Sequence, residues 1–118
     1  MRTVLVVDDE PMLRMLAIEM LEDAGHFVVD FCNAAQAIAY CDMPAHDIGA
    51  VLTDINMPGE LDGLDLARHL RDTRPTTHIV VTSGRYSIMP GDIRPAVTFL
   101  PKPWTSARLL TAIGTPLI

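Results

Sequence analysis

Short apolar runs alternate with longer segments of mixed polarity along the chain, and this alternation predicts strands separated by helices. The β-branched and apolar runs predict five strands, at Thr3–Val7, Phe27–Phe31, Ile48–Thr53, His78–Thr82 and Val97–Leu100. The segments between them predict helices over Met12–Ala24, Ala34–Cys41 and Gly63–Asp72, and a last helix from the Thr105 cap to near Gly114. Strands that alternate with helices in this way indicate an α/β fold with a parallel sheet and right-handed connections.

The segment Ser83–Pro95 departs from this alternation. Pro90, Gly91 and Pro95 interrupt it, and no helical stripe of apolar residues survives between them. We therefore expect a loop or a single helical turn between the last two strands.

Polar residues follow the predicted strands at the point where each apolar run ends. They are Asp8 and Asp9 after the first strand, Asp54 after the third, Thr82 and Ser83 at the fourth, and Lys102 after the fifth. The carboxyl ends of parallel strands meet at one edge of a sheet, where ligands of open α/β sheets bind. The pattern predicts a crevice suited to a divalent cation and a phosphoryl group.

Each of these residues also has an ordinary structural explanation. Acidic residues such as Asp8 and Asp9 are favoured at helix N-termini, Pro58-Gly59 is a turn signal, and a lysine is most often a solvated surface charge. The convergence of Asp54 with Asp8 and Asp9 favours a functional site over these structural explanations. Crowded carboxylates repel one another unless one is protonated or a cation is present. Magnesium suits such oxygen ligands, and we expect the backbone carbonyl of Asn56 to complete them.

Composition narrows the class of protein. The chain has 118 residues, 49% hydrophobic residues and a formal net charge of −6, which indicate one folded domain over residues 1–118 and argue against direct nucleic-acid binding. The N-terminal apolar run is too short to span a membrane, so we expect a cytoplasmic protein without membrane contact. Cys32 and Cys41 lack redox or zinc spacing and are expected to be small, partly buried hydrophobic residues.

Taken together, four motifs resemble the receiver domain of two-component response regulators over essentially the whole chain. They are Val6–Pro11, Asp54–Gly59, Thr82–Gly84 and Lys102–Trp104. The resemblance implies a flavodoxin-like, doubly wound sheet of strand order 2-1-3-4-5. It implies that a histidine kinase or a histidine phosphotransfer protein phosphorylates Asp54. It also implies that Mg²⁺ binds Asp9 directly, Asp8 through water, and the carboxylate of Asp54 and carbonyl of Asn56.

The resemblance assigns further roles at the same edge. Ser83, which precedes Gly84, fits the family's hydroxyl position better than Thr82, whose side chain should point to the other face of the strand. Phe99 matches the family's switch aromatic, although it also fits an ordinary core residue. Lys102 is expected beside Asp54, before a cis bond to Pro103. The chain departs from the family pattern in three places. The loop after Pro58 is one residue longer than the commonest form, and the fourth helix is shortened or missing. Pro101 lies at the end of the fifth strand, where we expect an edge strand to tolerate it.

These observations predict a phosphoacceptor switch that is not an enzyme beyond its own phosphorylation and dephosphorylation. If the chain is complete, it is a stand-alone receiver, a monomer or weak homodimer that signals to an unknown downstream protein. One alternative is a hydrolase that forms an aspartyl phosphate, although Asn56 cannot supply the second acid of such enzymes. Another is a phosphorylation-independent interaction module, which the full set of Asp8, Asp9, Asp54 and Lys102 argues against.

Overall fold

The computed structural model describes residues 2–84, 91–93 and 96–114. The strands are β1 (Thr3–Val7), β2 (Phe27–Phe31), β3 (Ile48–Asp54), β4 (His78–Ser83) and β5 (Val97–Pro101). The helices in this part of the chain are α1 (Pro11–Asp23), α2 (Ala34–Cys41), α3 (Gly63–Thr73) and α4 (Ser106–Ile113). None of these helices is both long enough and apolar enough to cross a membrane.

The strands form one parallel sheet in the order β2-β1-β3-β4-β5, which confirms the predicted flavodoxin-like, doubly wound fold. Each face of the sheet carries its own apolar core. One core includes Leu5, Val51 and Ile79 and packs under α2 and α3. The other includes Val6 and Leu52 and packs under α1 and α4. Because β1, β3 and β4 are covered on both faces, their sequences are continuous apolar runs rather than alternating ones.

The predicted boundaries agree with the structure to within a residue at most ends. Strands β3, β4 and β5 each continue one residue beyond the apolar run, so Asp54, Ser83 and Pro101 are strand residues. Pro101 is tolerated because β5 lies at the edge of the sheet. The Asn33 and Thr105 side chains cap α2 and α4 as predicted, by accepting from the backbone N–H groups of Gln36 and Arg108 respectively.

The connection from β4 to β5 is only partly described. Residues 91–93 form a turn, and no helix occurs among residues 84, 91–93 and 96, in agreement with a shortened or missing fourth helix. Pro90 and Pro95, on which part of that prediction rests, lie outside the described residues. Ile93 is fully buried and belongs to the core that includes Leu5, so the turn is anchored on the α3 side of the sheet.

Candidate functional site

Three carboxylates converge at the carboxyl edge of the sheet, as the strand order requires. One oxygen from each of Asp8, Asp9 and Asp54 lies within 4.8 Å of the others. Asp8 and Asp54 are 6% and 8% exposed, whereas Asp9 is exposed to solvent. Two of the three acids are therefore largely withdrawn from water and face a third at the crevice mouth.

Lys102 supplies a positive charge to this cluster. Its Nζ lies 3.4 Å from Asp8 Oδ2 and 3.3 Å from Asp54 Oδ2. Its backbone N–H donates to Ser83 O at 3.1 Å, so the chain beyond β5 stays beside the end of β4. The Lys102–Pro103 peptide bond is cis, as the resemblance implied. One ammonium thus bridges the two buried acids of the cluster.

The backbone around Asp54 is held by contacts that the sequence analysis did not anticipate. Gly63, the first residue of α3, packs so closely that a Cβ there would lie 1.9 Å from Asp54 O. The N–H of Gly63 also donates to Ile55 O at 3.0 Å. Only glycine fits this approach without a backbone shift. The Asp62-Gly63 pair was visible in the sequence at the start of the predicted helix. The sequence alone did not show which part of the backbone Gly63 would contact.

Arg14 is a second contributor that sequence reasoning missed. Its Nη1 donates to Asp8 O at 2.6 Å, while its Nε pairs with Asp30 Oδ2 at 3.0 Å. This one side chain from α1 therefore ties the end of β1 to β2. Asp8 Oδ1 meanwhile accepts from the Glu10 N–H at 2.9 Å, which fixes the carboxylate at the start of α1.

The environment of Asp54 disfavours its charge. Burial raises the pKa of the Asp54 carboxyl above its usual value, the Lys102 ammonium opposes this, and the Asp8 carboxylate adds to the increase. The Asn56 N–H also donates to Asp54 Oδ1 at 3.3 Å. A cation placed among the carboxylates would relieve this cost, and hard oxygen donors are the ligands that Mg²⁺ prefers.

The two hydroxyl residues at the end of β4 lie in different surroundings. Ser83 Oγ accepts a hydrogen bond from Asn56 Nδ2 at 3.1 Å, which places it next to the residue two positions beyond Asp54. Thr82 instead borders an internal space shared with Trp104. Phe99 is half-buried and packs against the core under α2 and α3.

This arrangement of acids, lysine and hydroxyl has a counterpart among known protein families. The family model described as the response regulator receiver domain matches residues 4–114. The chain belongs to the receiver domain family. It is thus a receiver domain of two-component systems, a signalling class whose members interact with histidine kinases and bind Mg²⁺ at an acidic pocket.

Individual relatives support the same assignment. A response regulator receiver protein from Sinorhizobium medicae has a crystal structure with a TM-score of 0.87, at 35% identity, covering 95% of this chain and 90% of that one. The sensor kinase CckA of Brucella abortus is 31% identical over 94% of this chain, which matches 12% of the kinase. The receiver protein CpdR of Brucella abortus is 34% identical over 71% of this chain and 68% of its own length.

The first five curated relatives are much longer than this receiver domain. The chain spans between 12% and 34% of the length of the first five curated relatives. The similarity therefore concerns their receiver domains and carries nothing over from their remaining segments.

Proposed function

We propose that this receiver domain accepts a phosphoryl group from the phosphohistidine of a histidine kinase or a histidine phosphotransfer protein, onto Asp54 and in a Mg²⁺-dependent reaction. The observation that carries the proposal is the position of the Asp54 carboxylate, 3.3 Å from the Lys102 ammonium and within the cluster formed with Asp8 and Asp9. A largely buried nucleophile beside one fixed cation and a pair of cation-binding acids is suited to phosphoryl transfer.

In this reaction an Asp54 oxygen attacks phosphorus, the P–N bond breaks, and the histidine leaves with the bonding electron pair and takes up a proton. Lys102 turns its ammonium from the carboxylates toward the phosphoryl oxygens and neutralises part of their charge. Water later attacks the acyl phosphate, which releases inorganic phosphate and restores the Asp54 carboxylate. The protein contributes position and electrostatics rather than further covalent chemistry.

The residues that would hold Mg²⁺ are Asp8, Asp9, Asp54 and the backbone carbonyl of Asn56. Their donor set fits the ion, because every ligand is a hard oxygen and the carboxylate oxygens already lie within 4.8 Å of one another. When bound, the ion would supply positive charge that neutralises part of the charge on the transferred phosphoryl group. The exposed position of Asp9 suits direct contact with an ion that retains several waters.

Ser83 and Phe99 are proposed to transmit the phosphorylated state. The Ser83 hydroxyl, which accepts from Asn56 at rest, would donate to a phosphoryl oxygen. Its movement would give Phe99 room to turn inward and so bias a two-state surface read by another protein. The domain would act over residues 1–118 as a cytoplasmic switch, as a monomer or weak homodimer, through an unidentified downstream protein.

The phosphorylation assignment is tested with Mg²⁺ and acetyl phosphate. Wild-type protein should gain one phosphoryl group by intact mass, and Asp54→Asn should gain none. Asp72→Asn is a matched control, because Asp72 is 70% exposed on α3 and pairs only with its neighbour Arg71 among the described contacts. Equal labelling of Asp54→Asn and wild type would disprove the proposal. Turnover of p-nitrophenyl phosphate would instead favour the hydrolase alternative.

The metal assignment needs its own measurement. Asp9→Ala should remove most of the Mg²⁺-induced increase in melting temperature, whereas Glu60→Ala should retain it. Glu60 is the sharper control because it is exposed and lines the same surface cavity as Asp9 without belonging to the carboxylate cluster. Equal Mg²⁺ shifts in Asp9→Ala and wild type would exclude Asp9 as a ligand. A phosphorylation-independent interaction module would show no Mg²⁺ response at all.

A further inference from the structure

Two polar atoms lie buried beneath the carboxylates, on the side of the sheet covered by α1 and α4. Thr82 Oγ1 and Trp104 Nε1 are both inaccessible to solvent, and neither has a hydrogen-bond partner among the described residues. Thr82 is 2% exposed, and Trp104 packs, partly buried, against the core that includes Val6 and Leu52. Leaving such a buried group unpaired destabilises the folded protein, so native proteins keep few of them.

Both residues line the same internal space. Asp8 and Asp54 border it, and Leu13 and Ala17 of α1 form part of its wall. The space is too narrow to admit a water molecule, so a bridging water does not account for the two unpaired atoms. The groups are chemically complementary, since an indole N–H only donates and a threonine hydroxyl both accepts and donates.

Lys102 connects this space to the site. It lies two residues before Trp104, in the segment that leads into α4, and its ammonium is held by Asp8 and Asp54 at 3.4 and 3.3 Å. Phosphorylation of Asp54 keeps both carboxyl oxygens and adds phosphoryl oxygens, which would lie farther from the sheet. If the Lys102 ammonium follows these phosphoryl oxygens, the segment that carries the Trp104 indole moves with it.

We propose that Thr82 and Trp104 form a buried coupling pair, in which Trp104 Nε1–H donates to Thr82 Oγ1 only when Asp54 is phosphorylated. The inference rests on the proposed function. The pair touches neither the phosphoryl group nor the metal, and its two members are positioning residues. The hydrogen bond recovers the free energy lost to the unpaired atoms and stabilises a position of α4 that reports the phosphorylated state.

Fluorescence tests the pair directly, because Trp104 is the only tryptophan of the chain. With Mg²⁺ and acetyl phosphate, wild-type emission should shift to longer wavelength as the indole N–H gains an acceptor. Thr82→Val should be phosphorylated to the same extent by intact mass but should lose most of the shift. Thr82→Ser, which keeps the hydroxyl, should restore it. An equal emission shift in Thr82→Val and wild type, or no shift in phosphorylated wild type, would overturn the proposed coupling.

Thermal melts supply a second, independent readout. Without a phosphodonor, Thr82→Val should melt at or above the wild-type temperature, because valine removes an unpaired buried hydroxyl. With acetyl phosphate, the variant should show a smaller phosphorylation-induced change than wild type. A marked loss of resting stability would mean that the hydroxyl is already paired, which contradicts the inference. Absence of labelling in wild type would refute the proposed function and the inference together, whereas labelling without a Thr82-dependent signal refutes only the inference.

Discussion

The two ends of the sheet use their polar side chains differently. At the amino end, side chains bind backbone carbonyls: His78 Nε2 donates to Ala112 O at 2.7 Å, His26 Nε2 to Gly114 O at 3.1 Å, and Thr77 Oγ1 to Ile48 O at 2.8 Å. At the carboxyl end, side chains face one another, as Lys102 does with Asp8 and Asp54. At the amino end the side chains thus bind backbone carbonyls, beside an exposed ion pair between Arg2 and Asp47, whereas the carboxyl end is held by buried, opposed charges.

This difference separates stability from function. At the amino end, a backbone carbonyl that accepts from a side chain keeps its hydrogen bond whether or not Asp54 is phosphorylated. The carboxyl end combines three acids with one nearby ammonium and keeps the pKa of Asp54 raised, so it gains from binding a cation or losing a charge. Changes at the carboxyl end should therefore alter chemistry, and changes at the amino end should alter stability.

The largest effect is expected for Lys102→Met. Removal of a charge that stabilises a transition state costs about 100- to 1,000-fold in rate, so phosphorylation of Asp54 by acetyl phosphate should slow by that order. Arg2→Met is the control from the opposite end, where Arg2 pairs with Asp47 at 3.5 Å. The measurement is the rate of phosphoryl incorporation by intact mass with Mg²⁺ present. A similar loss of rate in both variants would erase the distinction between the two ends.

A difference in reaction rate of similar size is expected between the two cysteines. Cys32 is exposed just after β2, whereas Cys41 is buried at the end of α2, so the expectation that both are partly buried is wrong. Burial raises the pKa of Cys41 from 9.0 to about 11, against the opposing charge of Arg74. Because the thiolate is the reactive form, Cys41 should label about 100-fold more slowly than an ordinary thiol.

Maleimide labelling at mildly alkaline pH, followed by intact mass, measures this contrast. One fast adduct is expected in wild type and none in Cys32→Ala, until denaturant exposes Cys41. Two fast adducts in native wild type would show that the core under α2 and α3 opens readily.

Sequence patterns were sufficient for the fold because the strands are short apolar runs and their polar ends follow directly. The positions of Asp8, Asp54 and Lys102 at one edge follow from the parallel order of the strands alone. The contacts of Arg14 and Gly63 could not be anticipated, because they depend on how α1 and α3 lie against the sheet. The chain around both residues was predicted as helical, but periodicity does not specify which backbone carbonyl a side chain or a Cα will meet.

An intermediate effect is expected for Thr77→Val at the amino end. Thr77 is 7% exposed and donates to Ile48 O, so valine leaves that carbonyl without its side-chain donor. The free energy of unfolding should fall by about 1–3 kcal/mol, with phosphorylation of Asp54 unchanged. Thr111→Val is the matched control, because its hydroxyl donates to Ala107 O on an exposed face of α4. Equal stability of the two variants in urea would show that the amino-end bonds contribute little.

The smallest effect, and the most specific, is expected for Asp54→Asn in the absence of Mg²⁺. Asparagine keeps an oxygen that accepts from the Asn56 N–H, and it removes the charge that burial disfavours. Because the pKa of Asp54 is raised on folding, the folded protein binds the proton more tightly than the unfolded chain. Wild-type stability therefore falls as pH rises from the usual 3.8 through the raised pKa, and the loss is complete above that raised pKa.

Asp54→Asn should consequently melt slightly above wild type at neutral pH, and the difference should vanish as pH falls below 3.8, where the carboxyl is protonated in both states. Mg²⁺ should also narrow or reverse it, because the ion stabilises wild type through a ligand that the variant has weakened. Asp47→Asn, which removes an acid at the amino end, should show no such gain, since Asp47 is exposed and paired with Arg2. A variant less stable than wild type at neutral pH without Mg²⁺ would mean that Lys102 more than compensates the buried charge. The carboxyl end would then be a balanced ion pair like those elsewhere on the surface, and the contrast between the two ends would rest on phosphorylation alone.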